Sequence, residues 1–176
     1  MSIYKMLTAD EAMRLAGDDV GFISMDNLKD LKSIDQLFSR FKKILLLYLH
    51  YKSDTDLVGH FCSIVRKPNS VCFYDSYGLT PDQILLSKSK TERSETDQQQ
   101  NYLAKLLYNS GLPVEYNSVQ LQSKDSRVTT CGYWSALALR YSDIPIAIWE
   151  KFWREKKKQY PGKNIDQLAV NMCNLL

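Results

Sequence analysis

The sequence predicts an α+β fold, in which a central mixed or antiparallel sheet is flanked by helices. Strand-like segments are concentrated between residues 43 and 77, helical patterns precede and follow them, and no internal repeat or low-complexity tract interrupts the chain. Hydrophobic residues make up 44% of the 176 residues and charged residues 24%, which is enough apolar surface for one core. We therefore expect a single domain over residues 1–176.

The first 43 residues predict mainly helix. Thr8–Glu11 has the pattern of a capping box, and Gly17 is placed to end the helix that it starts. Ser33–Gln36 is a second helix-start pattern, and it leads into apolar residues spaced like one helical face over residues 37–41.

Three strands are predicted next, at Lys43–His50, Gly59–Lys67 and Ser70–Tyr77. The second and third are rich in β-branched and aromatic residues. Pro68 and Asn69 between them are a turn signal, so these two strands should form an antiparallel hairpin.

The second half of the chain alternates between helical patterns and short polar segments. Thr80 begins a helix-start pattern with proline at the first position, and residues 87–100 predict an exposed connection or a helix start. The further predicted elements are a helix at Tyr102–Tyr108, a strand at Val114–Leu121, a polar loop at Gln122–Thr130, and helices at Tyr133–Tyr141, Ile144–Lys158 and Ile165–Leu176.

Charge and hydropathy argue against a membrane protein and do not require nucleic acid. The formal net charge is +3, and the basic run Arg154–Lys158 is interpreted as a solvated helix face rather than a phosphate-binding patch. The N-terminus lacks the apolar core of a secretory signal, and the longest apolar run, Ile44–Leu49, is too short to span a bilayer. We expect a soluble protein without a membrane partner, either intracellular or packaged with an intracellular product.

The four cysteines are expected to be reduced, because no secretory signal directs the chain to an oxidising compartment. Cys62 and Cys72 should lie on neighbouring strands and nearly opposite, where a disulfide is conceivable but not favoured. No Cys-x-x-Cys pair occurs, and a set made of His60, Cys62 and Cys72 lacks a fourth ligand, so we expect no metal and no cofactor. Cys173 is interpreted as a packing residue of an apolar helix.

Cys131 lies where the polar loop meets an apolar helical segment. A thiolate at a helix start faces the positive end of the helix dipole and free backbone N–H groups, which lower the pKa of a thiol. The same N–H groups can hold the oxyanion of a tetrahedral intermediate. Gly132 follows and allows a close turn, because it has no Cβ. We predict Cys131 as a nucleophile; the alternative is a buried structural cysteine.

His60 and Asp75 are predicted at positions roughly opposite each other in the hairpin. Their side chains would then share one face of the sheet and come within hydrogen-bond reach. An aspartate that accepts from one imidazole nitrogen fixes the tautomer, and the other nitrogen can take a proton from a thiol. We predict His60 as general base and Asp75 as its partner; the alternative is a surface histidine and a turn-capping aspartate. His50 is a rival base, but it has no acidic partner at hairpin distance.

Two glutamines precede Cys131. The side-chain amide of Gln122 could donate a second hydrogen bond to the oxyanion, and Gln120 would point to the same face if its strand continued. Each could equally be an ordinary polar residue at a strand end.

The order His60, Asp75, Gln122, Cys131 resembles the cysteine-protease superfamily of the adenovirus maturation proteases (adenains) and the SUMO-specific proteases. Residues 59–79 are similar to its histidine hairpin, its acidic residue and the aromatic-Gly pair that follows, and residues 119–134 are similar to its Gln, Asp-Ser and Cys-Gly segment. The resemblance covers about residues 45–140. It implies a papain-like topology with the nucleophilic cysteine at a helix N-terminus.

The chain departs from the family pattern at two places. Phe61 stands where the family usually has tryptophan after the catalytic histidine, which keeps an aromatic wall beside the imidazole. The spacing from the glutamine to the cysteine is longer than usual, which leaves the choice between Gln122 and Gln120 open. Gln122 is favoured because an Asp-Ser pair, residues 125–126, follows it as in the family.

The resemblance implies an endopeptidase that cleaves after small, Gly-type residues and processes capsid or core precursors of a virophage or large DNA virus. Its partners would be protein substrates, with activation by DNA or a viral peptide left open, and we expect a monomer in the virion or the host-cell cytoplasm. One alternative is a deSUMOylase, deubiquitinase or acetyltransferase that uses the same triad. Another is a non-catalytic binding module that retained the fold.

Overall fold

A computed structural model describes residues 2–51, 57–160 and 164–176. Within these residues a five-stranded sheet separates two layers of helices. The strands are β1 (Val20–Ser24), β2 (Lys43–Tyr51), β3 (Leu57–Arg66), β4 (Val71–Tyr74) and β5 (Val114–Tyr116). The helices are α1 (Ala9–Ala16), α2 (Ile34–Leu37), α3 (Pro81–Leu86), α4 (Lys90–Glu95), α5 (Tyr102–Asn109), α6 (Cys131–Arg140), α7 (Ile146–Gln159) and α8 (Ile165–Cys173), with a 3-10 helix at Met25–Asp30.

The sheet is mixed, with strand order β1-β2-β3-β4-β5. The three central strands pair antiparallel, and the two edge strands, β1 and β5, each pair parallel with their neighbour. The turn between β3 and β4 is closed by the Lys67 N–H, which donates to the Ser70 carbonyl over 2.9 Å. The predicted α+β class, the mixed sheet and the antiparallel hairpin at Pro68 are therefore confirmed.

The two faces of the sheet bury two separate apolar clusters, because side chains along a strand alternate between faces. Leu45, Phe61 and Val65 lie on one face and pack against α1, α6, α7 and α8. Ile64 and Phe73 lie on the other face and pack against the 3-10 helix, α2, α3 and α5. Helix α6 is almost completely enclosed, since every residue from Cys131 to Leu139 is buried.

The prediction of helix over the first 43 residues is correct in part. The capping box of α1 is present, with the Glu11 N–H donating to the Thr8 hydroxyl, and Gly17 ends the helix at φ +101°. Residues 20–24 instead form strand β1, whose parallel pairing with β2 decides its conformation. Five residues are too few to show a clear hydrophobic periodicity, so pairing with β2 outweighs the local sequence pattern. Helix α2 begins after Ser33 as predicted but ends at Leu37.

Two predicted segments change length in the structure. The strand expected at Val114–Leu121 ends at Tyr116, and the Asn117 side chain instead pairs with the backbone of Asp75, the residue that follows β4. Residues 87–100 contain a defined helix, α4, with the Ser89 hydroxyl accepting from the Glu92 N–H.

The prediction that Cys62 and Cys72 lie nearly opposite is wrong. The register of the β3–β4 pair places Cys72 opposite Val65, so Cys62 and Cys72 point to opposite faces of the sheet. All four cysteines are free thiols, and Cys173 is buried in the first apolar cluster as predicted.

The basic run Arg154–Lys158 lies on the last turns of α7, and its side chains are largely exposed, as expected for a solvated helix face. Among the residues that the structure describes, no helix has the length and hydropathy that crossing a bilayer requires.

Candidate active site

Cys131 is the first residue of α6, at the junction of a loop and a buried helix. The Thr130 side chain does not cap this helix. The thiol therefore lies beside the unsatisfied N–H groups and the positive dipole end of α6, as the sequence predicts. Gly132 is needed here for space: a Cβ at that position would lie 3.1 Å from the Leu7 Cβ.

The structure brings His60 and Asp75 together. The His60 Nε2 lies 2.5 Å from the Asp75 Oδ1. Since a carboxylate has no proton to donate, Nε2 is the donor, and the other ring nitrogen is left for the thiol of Cys131. A hydrogen bond between His60 and Cys131 contributes to the pKa values of both residues. His60 therefore lies between Asp75 and Cys131 and interacts with both.

Hydrogen bonds hold both the side chain and the backbone of Asp75. Its side chain is buried, and its second oxygen, Oδ2, accepts from the backbone N–H groups of Tyr77 at 3.0 Å and Leu79 at 2.9 Å. Its backbone is paired with the Asn117 amide, which accepts from the Asp75 N–H at 2.8 Å and donates to the Asp75 carbonyl at 2.7 Å. Asp75 can rotate only by breaking several hydrogen bonds, so it fixes the direction of the imidazole of His60.

The pKa of Cys131 is lowered. Burial alone would raise it, because burial disfavours a thiolate, but the hydrogen bond and charge of His60 and two backbone N–H groups outweigh that effect. For His60, burial favours the neutral ring, whereas Cys62, Asp75 and Cys131 favour the imidazolium, and the pKa of His60 is raised well above its ordinary value. The opposite shifts favour a resting thiolate–imidazolium pair.

The other three thiols differ from Cys131. Burial raises the pKa values of Cys62 and Cys173 to about 12 and also raises that of Cys72. Of the four cysteines, only Cys131 has a lowered pKa. At neutral pH, Cys131 is therefore the thiol with the largest thiolate fraction of the four.

Gln122 and Gln120 occupy different environments. Gln122 is buried and contributes to the cavity that contains Cys131, whereas Gln120 donates to the Gln122 carbonyl at 3.0 Å. The Gln122 Oε1 accepts from the Ser76 hydroxyl at 2.8 Å, and its Nε2 donates one hydrogen to the Val128 carbonyl at 3.1 Å. The amide nitrogen has a second hydrogen, and the bond from Ser76 fixes which end of the amide carries it.

A cavity of about 410 Å³ lies over Cys131 and His60. Its walls combine apolar side chains with a few polar groups, as in sites that take peptides or small ligands. The lining includes Met6, Leu79, Val128, Lys88, Lys124 and Gln122.

The aromatic group beside the imidazole is not the expected one. Tyr77 stacks on His60, with ring centroids 5.3 Å apart and 24° between the planes. Phe61 is buried on the opposite face of β3, in the first apolar cluster. Alternation along a strand sends consecutive side chains to opposite faces, so a residue next to His60 in the sequence could not share its face.

His50, the rival base, contributes to the same cavity but lacks the features of His60. Burial lowers the pKa of His50 to about 4, and its Nδ1 is buried without a hydrogen-bond partner in the described part of the chain. It is therefore neutral at physiological pH and has no group that orients it.

Within residues 2–51, 57–160 and 164–176, the side chains that come nearest to a metal site are His60, Cys62 and Asp75, whose ligand atoms lie within 4.8 Å of one another. Asp75 replaces Cys72, the third ligand considered from the sequence. The Cys62 Sγ donates to the Asp75 Oδ1 over 3.4 Å, and His60 donates to the same oxygen. These groups satisfy one another by hydrogen bonds, so we assign them no metal.

Sequence reasoning missed Tyr77, Asn117 and Ser76, which support the predicted residues. An asparagine after a short strand and a serine in a turn are common, and nothing in their spacing marks a role. Tyr77 lies beyond the end of β4, in the turn that follows Asp75, so no strand pairing marks its contact with His60.

The chain is similar to several known proteins, each at low sequence identity. No protein-family model matches the chain. The chain is 29% identical over 127 residues to the uncharacterized protein V9 of the Sputnik virophage, a match that covers 72% of this chain and 70% of that protein.

Two solved structures are similar to the chain. ChlaDub1 from Chlamydia trachomatis has a TM-score of 0.45 and 11% identity, over 99% of this chain and 93% of that chain. The SUMO protease Ulp1, with its catalytic cysteine oxidized to a sulfinic acid, has a TM-score of 0.38 and 10% identity, over 93% and 74%. With identities and TM-scores this low, these structures carry no argument about function, which must come from the geometry of the site.

Proposed function

We propose that the protein is a cysteine endopeptidase in which Cys131 is the nucleophile, His60 the general base and acid, and Asp75 the residue that orients His60. One observation carries this proposal: His60 donates to the buried Asp75 carboxylate at 2.5 Å and lines one cavity with Cys131, whose pKa His60 lowers at the start of α6. This is the arrangement that an activated thiol requires.

The reaction is acyl transfer. The Cys131 thiolate attacks the scissile carbonyl carbon, and a C–S bond forms as the carbonyl oxygen becomes an oxyanion. The Cys131 N–H and the free hydrogen of the Gln122 amide donate to that oxyanion. The His60 imidazolium then protonates the leaving amine as the C–N bond breaks. His60 next takes a proton from water, which attacks the thioester and releases Cys131.

The substrates we propose are capsid or core precursors, cut after small, Gly-type residues. The similarity to a virophage protein over 127 residues supports a viral setting, in which such precursors are the available protein substrates. We expect action in the virion or the host-cell cytoplasm, without metal or cofactor.

The deciding experiment incubates the protein with capsid precursors from its own genome and maps the cut sites by mass spectrometry. Cys131→Ala should reduce cleavage by at least about 1000-fold, because it removes the nucleophile. The matched control is Cys72→Ala, which removes a buried thiol of the same apolar cluster that does not line the cavity over Cys131. Cleavage by Cys131→Ala at the wild-type rate would contradict the assignment.

A panel of ubiquitin and SUMO reporters separates the endopeptidase from an isopeptidase on the same scaffold. Release of a ubiquitin-like protein without cleavage of any precursor would favour the isopeptidase.

Alkylation separates an enzyme from a binding module. Iodoacetamide at neutral pH should modify Cys131 about 100-fold faster than the other three thiols, because only its pKa is lowered. Equal rates at all four thiols would favour a binding protein.

A further inference from the structure

A buried carboxylate that the proposed chemistry does not use lies next to the site. Asp166 is 0% exposed and is the second residue of α8, the C-terminal helix. A carboxylate is rarely buried this completely unless strong hydrogen bonds replace its water. The hydrogen-bond partners of Asp166 therefore indicate what role the buried carboxylate has.

Both oxygens of Asp166 accept hydrogen bonds from the region around the nucleophile. Oδ1 accepts from the Thr130 hydroxyl and from the indole N–H of Trp134, the latter over 2.8 Å. Oδ2 accepts from the backbone N–H of Ser123 over 2.9 Å. The Asp166 N–H donates in turn to the Asn164 side chain, which caps α8.

These partners lie at the two ends of one loop. Ser123 directly follows Gln122, and Thr130 directly precedes Cys131. The Asp166 carboxylate therefore links Ser123, the neighbour of Gln122, to Thr130, the neighbour of Cys131. An oxyanion hole made by the Gln122 amide and the Cys131 N–H works only while the distance between these two donors stays fixed.

The remaining contacts of the loop act beside this link: the Gln122 amide donates to the Val128 carbonyl at 3.1 Å, two residues short of Thr130, and the Thr129 N–H donates to Ile3. Arg127 pairs with Asp125 at 2.7 Å, but both side chains are substantially exposed and both lie inside the loop. The Val128 N–H donates to the Asp125 carbonyl, again within the loop. These two contacts of Asp125 shape the middle of the loop without joining its ends.

We propose that Asp166 is the positioning residue of the oxyanion hole: through Ser123 and Thr130 it holds Gln122 at a fixed distance from the N-terminus of α6. This inference rests on the proposed function. It assigns to the C-terminal helix a task in catalysis, because a displacement of about 1 Å in a reacting geometry can cost on the order of 100-fold in rate.

The variant that tests it is Asp166→Asn, which preserves the shape of the side chain. If the amide oxygen stays with Thr130 and Trp134, the amide N–H₂ faces the Ser123 N–H, donor against donor. If the amide is turned, the Ser123 bond survives, the Trp134 indole N–H loses its acceptor, and the Thr130 hydroxyl must reverse its role and accept from the amide. Either orientation therefore breaks a hydrogen bond of Asp166 and changes how the loop is held.

Three measurements separate positioning from general stability. The kcat for a cleaved precursor peptide should fall by about 10- to 100-fold while KM stays within about twofold. Inhibition by a peptide aldehyde, whose hemithioacetal oxygen occupies the oxyanion site, should weaken by the same factor as kcat/KM. The rate at which iodoacetamide alkylates Cys131 should stay within about twofold, because that displacement forms no oxyanion.

The control variant is Leu107→Ala, which opens the second apolar cluster far from the loop. It should lower the melting temperature without changing kcat at a temperature where it is folded. Equal kcat in Asp166→Asn and wild type would overturn the positioning role, as would a parallel loss of cleavage and alkylation. Wild-type protein that cleaves no precursor or reporter would instead contradict the proposed function itself.

Discussion

The β3–β4 hairpin and the loop that leads to Cys131 supply the two halves of the candidate site by different means. In the hairpin, strand register brings His60 and Asp75 to one face, and they lie only 15 residues apart in the chain. In the loop, Gln122 and Cys131 are held by Ser76 and Asp166, which come from distant parts of the chain. The proton-transfer half depends on local pairing, and the oxyanion half depends on tertiary contacts.

This difference predicts how each half fails. A hairpin whose geometry is set by many ladder hydrogen bonds should tolerate the loss of a supporting side-chain contact, such as that of Cys62, but not a change of Asp75 itself, which bonds His60 directly. A loop held at its ends by a few side chains should lose its geometry when one of them changes. The following variants test that contrast, from the largest expected effect to the smallest.

Asp75→Asn should reduce kcat/KM by about 100- to 1000-fold, because the amide N–H₂ faces the His60 Nε2 and favours the wrong tautomer. The carboxylate stabilises the imidazolium, so its removal lowers the pKa of His60. Activity that needs the imidazolium is lost as pH rises through that pKa, so the alkaline limb of the pH–rate profile should move to lower pH.

The control for this variant is Asp143→Asn, whose side chain is 98% exposed and far from the hydrogen bond to His60. It should leave the pH–rate profile unchanged. An alkaline limb that stays in place in Asp75→Asn would contradict the role of the carboxylate.

Gln122→Ala should lower kcat by about 100-fold with little change in KM, because it removes one donor to the oxyanion. Gln120→Ala is the matched control and should stay within about threefold, since its amide donates to the Gln122 carbonyl rather than into the cavity. Steady-state kinetics on one peptide decide between them. If Gln120→Ala lowers kcat more than Gln122→Ala does, Gln120 is the oxyanion donor.

Cys62→Ala should have the smallest effect, within about threefold in kcat/KM. Its thiol donates to the Asp75 carboxylate over 3.4 Å, a weak contact beside three stronger ones. The pH–rate profile and kcat/KM together measure this contribution. A loss as large as that of Asp75→Asn would show that the hairpin half also depends on single contacts.

Much of the proton-transfer half could be predicted from the sequence. Pro68 fixes the turn, the turn fixes the register, and the register brings His60 and Asp75 to one face. Cys131 could be predicted as well, since a polar-to-apolar transition marks the start of α6. The stacking partner was misassigned, because Phe61 alternates to the other face and Tyr77 takes that place.

The sequence by itself determined the α+β class, the hairpin and the helix start at Cys131, because each depends on the pattern of neighbouring residues. Only the tertiary structure decided that residues 20–24 form an edge strand, that Asn117 clamps Asp75, and that Asp166 ties the loop to α6. The physical reason is sequence separation: Asp166 and Ser123 lie 43 residues apart. No local periodicity encodes a hydrogen bond that forms only after the sheet and both helix layers have packed.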